Sequence, residues 1–405
     1  MPPAGDPPPP LLISGATVVA ADGVWPRGWL VAAGGRIQAL GPGEAPGGVR
    51  AEVSALGRVV DGRGGVLLPG FIDLHVHGGD DADAMDADPD GLRRMARFHA
   101  THGVTSLLPT TWSAPPVALE AAVSAITEVV GPVDGGATIL GAHLEGPWIN
   151  PARAGAQDPA GIRPPDVAEA RRLLEIGRGA VRLVALAPEM PGAGDVIREL
   201  VGRAVVVAAG HTEAGWEDMR SAVVAGVRHV THTFNAMGGV GHREPGTAGA
   251  ALALPELRCE LIADGHHVHP GAMAVLARAK GPDGVILISD AVRAAGLPEG
   301  DVDLGGRMAQ HCCGAVRLPD GRLAGSVLTL DEALARFAAA TGWGWSDLAR
   351  AASGNAAAAL GLTTKGRLAA GADADLVLLA DDAAGDGKGE VLLTVVEGRI
   401  VHRRP

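Results

Sequence analysis

Apolar residues fall into short runs along this chain, and the spacing between the runs changes twice. The first runs cover residues 11–13, 16–20, 28–31, 36–40 and 58–61, with turn residues and no helical stretch between them. That spacing predicts a small antiparallel β unit. Similar runs at 374–379, 392–396 and 399–402 close the chain, and the two ends are expected to pair into one β-sandwich. Between about Gly65 and Leu362 the pattern becomes strand, loop, helix, repeated. Its apolar runs are 67–74, 104–108, 138–142, 181–186, 204–209, 227–230, 259–263 and 285–288. Ala-rich amphipathic stretches such as 221–225 and 272–279 fill the gaps. Eight such units predict an α/β fold, a (β/α)8 TIM-like barrel whose chemistry sits at the C-terminal ends of its strands. The expected division is 1–64 for the first part of the β-sandwich, 65–362 for the barrel and 363–405 for the rest of the sandwich. Residues 1–10 are Pro-rich and expected to be disordered.

The strand ends carry the candidate chemistry. The first barrel run closes in Phe-Ile-Asp-Leu-His-Val-His-Gly-Gly over residues 71–79. Alternation along a strand points His75 and His77 the same way, and two imidazoles on one face can grip a divalent metal. Later strands run into His143 and Glu145, His211, His232, Asp264 with His266 and His267, and Asp290. Taken alone, His211 or His232 would read as a buried imidazole with its hydrogen bonds satisfied. Beside His75, His77 and Glu145 that is the weaker account. His99, His102, His229, His242, His311 and His402 read as ordinary, and His269 as a turn residue. His143 and His266 read as partners of ligands or as packing. Asp264 reads as a helix cap, and Asp73 as a residue that orients His75 or closes a turn.

Composition narrows the classes. The 405 residues are 47% hydrophobic, enough for a large core, and 60 Gly with 29 Pro imply many turns. A net charge of -12 argues against nucleic-acid binding and requires a local cationic pocket for any anionic substrate. The only cysteines are Cys259, Cys312 and Cys313, which fits a reduced, cytoplasmic enzyme. No apolar run is long enough to span a bilayer, so no membrane role is expected. The only lysines are Lys280, Lys365 and Lys388, and there is no tyrosine.

The strings His143-Leu144-Glu145-Gly146-Pro147, Gly210-His211-Thr212, 231–237 (THTFNAM), Arg243-Glu244-Pro245-Gly246, 263–267 (ADGHH), Ser289-Asp290-Ala291 and Leu323-Ala324-Gly325-Ser326 occur in this order. Together they resemble the amidohydrolase superfamily, and within it the deacetylases of N-acetylglucosamine 6-phosphate. The resemblance runs from Pro69 to Ser326 and into the flanking β unit. It implies Glu145, His211 and His232 as core ligands of a divalent metal, zinc or iron. With His75 and His77 present, which vary in the family, it implies two metals per subunit bridged by Glu145. Asp290 would be the general acid/base. Asn235, Ala236, His267, the Ala156 backbone and the Leu323-Ala324-Gly325 loop would contact substrate. Arg243 would bind the phosphate of a phosphorylated N-acetyl amino sugar in the neighbouring subunit of a homodimer.

Related barrels often bridge their metals with a carboxylated lysine on the fourth strand. Here that strand runs into Ala187-Pro188-Glu189 and no lysine is near, which argues against a dihydroorotase- or hydantoinase-like enzyme. The implied reaction is hydrolysis of the N-acetyl group to glucosamine 6-phosphate and acetate. The nearest rivals are the same deacetylation of N-acetylgalactosamine 6-phosphate or of an N-acyl-D-amino acid. A nucleobase or adenosine deaminase would normally hold one metal and lack the sugar-phosphate strings. A non-catalytic barrel scaffold would be expected to have dropped ligands that this chain keeps.

Overall fold

Eight parallel strands form the centre of the molecule: Phe71–Val76, Val104–Thr111, Ala142–Glu145, Val181–Leu186, Val206–Ala209, His229–Val230, Arg258–Ile262 and Val285–Ile288. Each pairs in parallel with the next. The computed structural model describes residues 7–380 and 389–404. The expected disorder over 1–10 therefore falls partly, at residues 1–6, outside the described residues, as does Lys388. The strands read as nearly continuous apolar runs because both faces are covered, by helices outside and side chains inside.

A helix follows every strand: Pro89–Thr101, Pro116–Val129, Val167–Gly177, Ala193–Gly202, Trp216–Ala225, Gly246–Ala253, Pro270–Lys280 and Leu330–Thr341. The first of them illustrates the local logic. Leu92, Met95, Ala96, His99 and Ala100 are buried at helical spacing, and the Asp88 side chain accepts from the Asp90 and Gly91 amides at its start.

The ring closes between the eighth strand and the first. The Asp290 amide donates to the His75 carbonyl at 2.9 Å, and the His77 amide to the Ala291 carbonyl at 2.8 Å. Beneath these bonds, Ser289 Oγ donates to Asp73 Oδ2 at 2.5 Å, while Asp73 Oδ1 accepts from the His75 amide at 3.2 Å. Asp73 thus fastens the two strands that present His75, His77 and Asp290. Its burial pushes the carboxyl up to about 6 against the opposing pull of the Ser289 hydrogen bond.

Strands from both chain ends meet in one continuous eight-stranded sheet. Val66–Pro69 joins them, running parallel to Leu11–Ala20 and antiparallel to Leu376–Leu379. Most of the other pairs are antiparallel as expected, but Leu11–Ala20 also runs parallel to Arg58–Asp61. Leu11, Ile13, Val18, Leu30, Ile37, Leu67, Leu378 and Val395 of this sheet share one core.

Two local expectations need correction. The apolar run 67–74 is not one barrel strand but divides at Gly70, leaving Val66–Pro69 in the flanking sheet and Phe71–Val76 in the barrel. A Cβ at Gly70 would lie 2.2 Å from Thr105 Cγ2, so the crossing between the sheets admits only glycine. The stretch expected to lack helix contains Gly47–Leu56, which opens on two glycines with no capping side chain and buries only Val53. So weak a pattern carries no helical signal; packing of Val53 with Leu12 and Val31 holds the helix in place.

His99 yields a stability prediction. Its Nε2 hydrogen bonds to the Gly78 carbonyl at 2.9 Å, and burial pushes its pKa down to about 4. The unfolded chain, with an imidazole near about 6.5, binds the proton first as pH falls, so stability is lost progressively between those values. His99→Gln, which keeps an N–H donor but cannot titrate, should flatten the dependence of Tm on pH between about 6.5 and 4. An unchanged slope would show that His99 is not part of the acid response.

Candidate active site

A cavity of about 230 Å³ opens at the C-terminal mouth of the barrel. His77, Glu145, His211, His232 and Asp290 line it, together with Trp112, Ala156, Gln157, Asn235, Ala236, His267, Arg322, Leu323 and Gly325. His75 is fully buried at its floor, in contact with the same carboxylates.

The six candidate metal and acid/base residues form two groups that meet at Glu145. In one, Glu145 Oε1 lies 2.9 Å from His232 Nε2 and 3.2 Å from His211 Nε2, which are 3.1 Å apart. In the other, His75 Nε2 and His77 Nε2 are 3.3 Å apart and lie 3.3 and 3.2 Å from Asp290 Oδ1. Glu145 reaches this second group as well, with Oε1 at 3.4 Å from His75 Nε2 and Oε2 at 3.3 Å from His77 Nε2. Donors bound tetrahedrally to one ion at about 2.0–2.1 Å stand about 3.3–3.4 Å apart, so this spacing suits zinc-sized ions in both groups.

The far nitrogens fit as well. His77 Nδ1 donates to the Thr110 carbonyl at 3.1 Å and His211 Nδ1 to the Arg153 carbonyl at 2.8 Å, leaving each Nε2 lone pair free. His, Glu and Asp donors suit zinc, iron and other borderline divalent ions.

Three of these side chains reach the mouth through unusual backbone. His211, His232 and Asp290 each stand two residues beyond the last residue of their strands, and each is left-handed, with φ of 49°, 25° and 50°. Non-glycine residues take this conformation at a cost of roughly 1–3 kcal/mol when the surroundings enforce it. Here hydrogen bonds pin the turns: the Asn235 amide to the His232 carbonyl at 3.0 Å, and the Asp290 amide to His75.

Charge is concentrated and buried. Burial alone would push the Glu145 carboxyl up, but the imidazoles of His75 and His211, with a hydrogen bond from His232, hold it well below the usual range. Asp290 is likewise held low, burial being outweighed by His75 and His77. Burial opposes protonation of His77, yet hydrogen bonds to Asp290 and Glu145 raise it to about 9. Without an ion, protons therefore compensate the carboxylates; an ion would displace them, so metal uptake should release protons.

Of the residues expected to contact substrate, Ala156, Asn235, Ala236, His267, Leu323 and Gly325 line the cavity. Ala324 does not: its amide donates to the Val316 carbonyl and its side chain packs with Val292 and Val316. Arg243 is exposed and outside the cavity of its own chain. Asp264 is not the helix cap; it accepts from the His266 and His267 amides and from His267 Nδ1 at 2.6 Å, which aims His267 at the cavity. The helix is capped by His269 instead. His229, expected to be ordinary, lies inside the barrel beside Glu260 at 3.4 Å.

Four residues escaped the sequence reading. Gln157 Nε2 donates to Glu145 Oε2 at 2.5 Å and its Oε1 accepts from the Ser113 amide. Trp112 stacks on His77 with ring centroids 3.9 Å apart. Arg322 pairs with Asp320 and reaches the Gly155 carbonyl at the cavity edge. Glu260 is fully buried within the seventh strand. A search limited to ionisable groups at strand ends passes over Trp112, which directly follows the second strand, and over Glu260, whose signal is a charge inside an apolar run. A third cluster, Glu299 with the free Cys312 and Cys313, is exposed and lies outside the cavity.

A (β/α)8 barrel with clustered imidazoles and carboxylates at the C-terminal mouth defines a class of metal-dependent hydrolases. Residues 66–401 match the amidohydrolase family, and the chain belongs to that family and is a hydrolytic enzyme. It is 40% identical over 339 residues to the N-acetylglucosamine-6-phosphate deacetylase of Bacillus subtilis, covering 83% of this chain and 84% of that one. It is 43% identical over 277 residues to the N-acetylgalactosamine-6-phosphate deacetylase of Escherichia coli O157:H7, covering 68% of this chain and 73% of that one. A solved variant of the Mycobacterium smegmatis N-acetyl-D-glucosamine-6-phosphate deacetylase, in complex with N-acetyl-D-glucosamine-6-phosphate, superposes with a TM-score of 0.88 at 34% identity. That match covers 97% of this chain and 99% of the other. Among the described residues no helix is long and apolar enough to cross a membrane.

Because Glu145 touches both groups, Glu145→Gln should lower metal binding at both, whereas loss of His211 alone should spare the His75 group. Metal content of the purified variants, measured by mass spectrometry, checks this. Full metal in Glu145→Gln would remove Glu145 from the centre of the site.

Proposed function

We propose that this chain hydrolyses the N-acetyl group of N-acetylglucosamine 6-phosphate, giving glucosamine 6-phosphate and acetate. The observation that carries the reading is Asp290 at the cavity wall beside two donor groups that share Glu145. The similarity to deacetylases of phosphorylated N-acetyl sugars supports the substrate class. His75, His77, Glu145, His211 and His232 are proposed to hold two divalent ions per subunit, zinc or iron. When bound, such ions supply Lewis acidity and make water acidic enough to yield hydroxide near pH of about 7.

The chain's own groups then manage protons and position. Asp290, ionised and next to the cavity, accepts the proton of the attacking water on its carboxylate and delivers it to the amide nitrogen as the C–N bond breaks. His267, held by Asp264, donates to substrate from Nε2. Asn235, Ala236, the Ala156 backbone, Leu323 and Gly325 enclose the sugar. Trp112 covers His77 and keeps bulk water from that side of the site.

Arg243 is proposed to bind the 6-phosphate in the neighbouring subunit of a homodimer, which agrees with its exposed place eight residues beyond Asn235. The barrel from Phe71 onward is the catalytic unit in this reading, the two chain ends together with Val66–Pro69 form the flanking sheet, and the enzyme works in the cytoplasm. A second reading, the galacto epimer as substrate, is favoured by the similarity to the E. coli O157:H7 enzyme.

Acetate release from the gluco and galacto 6-phosphates and from unphosphorylated N-acetylglucosamine tests the substrate. Highest kcat/KM is expected for the gluco phosphate; a preference for the unphosphorylated sugar would contradict the reading. Asp290→Asn should lower kcat by roughly 10²–10⁴-fold and remain folded; near-normal turnover would exclude Asp290 as the proton carrier. Arg243→Ala should raise KM by roughly ten- to hundredfold for the phosphorylated sugar, the scale of a lost charge-assisted contact, with metal content unchanged. An unchanged KM would take Arg243 out of the phosphate site.

A further inference from the structure

Below the mouth, the barrel interior holds a second polar layer that the proposed chemistry does not use. Barrel interiors are ordinarily filled by branched apolar side chains, yet His143, His229, Thr231 and Glu260 are all fully buried. Glu260 is the carboxylate of this layer. Thr231 Oγ1 donates to its Oε2 at 3.0 Å, His229 Nδ1 lies 3.4 Å from its Oε1, and His75 Nδ1 lies 3.5 Å from its Oε2. A charge buried this deeply is strongly disfavoured unless it is paired.

The imidazoles of the mouth differ in what holds their far nitrogen. His77 and His211 donate from Nδ1 to backbone carbonyls. His75 Nδ1 makes no hydrogen bond of normal length and instead faces the Glu260 carboxylate. We propose that Glu260 is a positioning residue for the ion held on the His75 and His77 side of the site, next to Asp290. Its carboxylate accepts a hydrogen bond from the His75 Nδ1–H, fixes the tautomer that leaves the Nε2 lone pair free, and makes Nε2 a more basic ligand than a carbonyl partner would.

His75 Nε2 lies within 3.4 Å of both Glu145 and Asp290, so rotation of this ring would disturb the whole second group. The Glu145–His211–His232 group has a different support: His211 leans on Arg153, and His232 Nδ1 has no partner among the described residues. The two ions should therefore respond unequally to loss of Glu260. The proposal rests on the two-ion reading given above.

Zinc titration of metal-free protein by calorimetry, with metal content measured in parallel, tests it. Wild type should take up two zinc ions per chain. Glu260→Gln keeps the shape and can still accept from Thr231; it should bind one zinc as wild type does and the other about 10–100-fold more weakly. If Glu260→Gln does not accumulate folded, Glu260→Asp, which withdraws the carboxylate from His75, should give the same selective loss. Two zinc ions at wild-type affinity in the variant would overturn the proposal alone. Parallel loss of both ions would also overturn it, since Glu260 would then support the barrel rather than His75. Wild-type protein that binds fewer than two zinc ions would sink the two-ion reading, and this proposal with it.

Discussion

The structure depends on a concentration of charge that water cannot relieve. Glu145 and Asp290 are buried at the barrel mouth, and four imidazoles crowd the same few ångströms. Two carboxylates so placed are tolerable only if protons or metal ions compensate them. The raised pKa of His77 and the lowered one of Glu145 describe the proton-compensated state. Divalent ions are the alternative compensation, and the donor spacing already matches what they require.

Holding these groups together sets requirements elsewhere. Left-handed turns at His211, His232 and Asp290 put side chains into the mouth that a regular strand would carry past it. The first and eighth strands meet through backbone bonds at His75 and Asp290 and through the Ser289–Asp73 contact. The flanking sheet braces the first strand from behind: Val66–Pro69 belongs to that sheet, and one glycine later the chain enters the barrel. Rigidity at the base of the site is thus built from elements far apart in sequence, as a site that must hold donors within a fraction of an ångström requires.

Much of this was legible in the residues. Buried parallel strands are apolar throughout, so eight runs and the helices between them announced the barrel. His75 and His77 were readable from alternation, because a strand fixes side-chain direction. What was not legible depends on tertiary contact. In the run 67–74 only the turn pair Pro69-Gly70 marks a break, and nothing in it says that the chain changes sheets there. The helix Gly47–Leu56 has almost no buried face to announce it. Gln157 sits in a loop, and only the folded chain brings its amide onto Glu145. Glu260 was visible as a charge in an apolar strand, but its partners His75 and His229 come from other strands. The role proposed for Arg243 depends on a second subunit, and a single chain shows only its exposed place.

Anomalous diffraction at the zinc edge from zinc-loaded crystals tests the central claim most directly. The account predicts two peaks per chain, one within the His211–His232–Glu145 group and one within the His75–His77–Asp290 group, with Glu145 touching both. Density confined to Cys312, Cys313 and Glu299, or none at the barrel mouth, would contradict it.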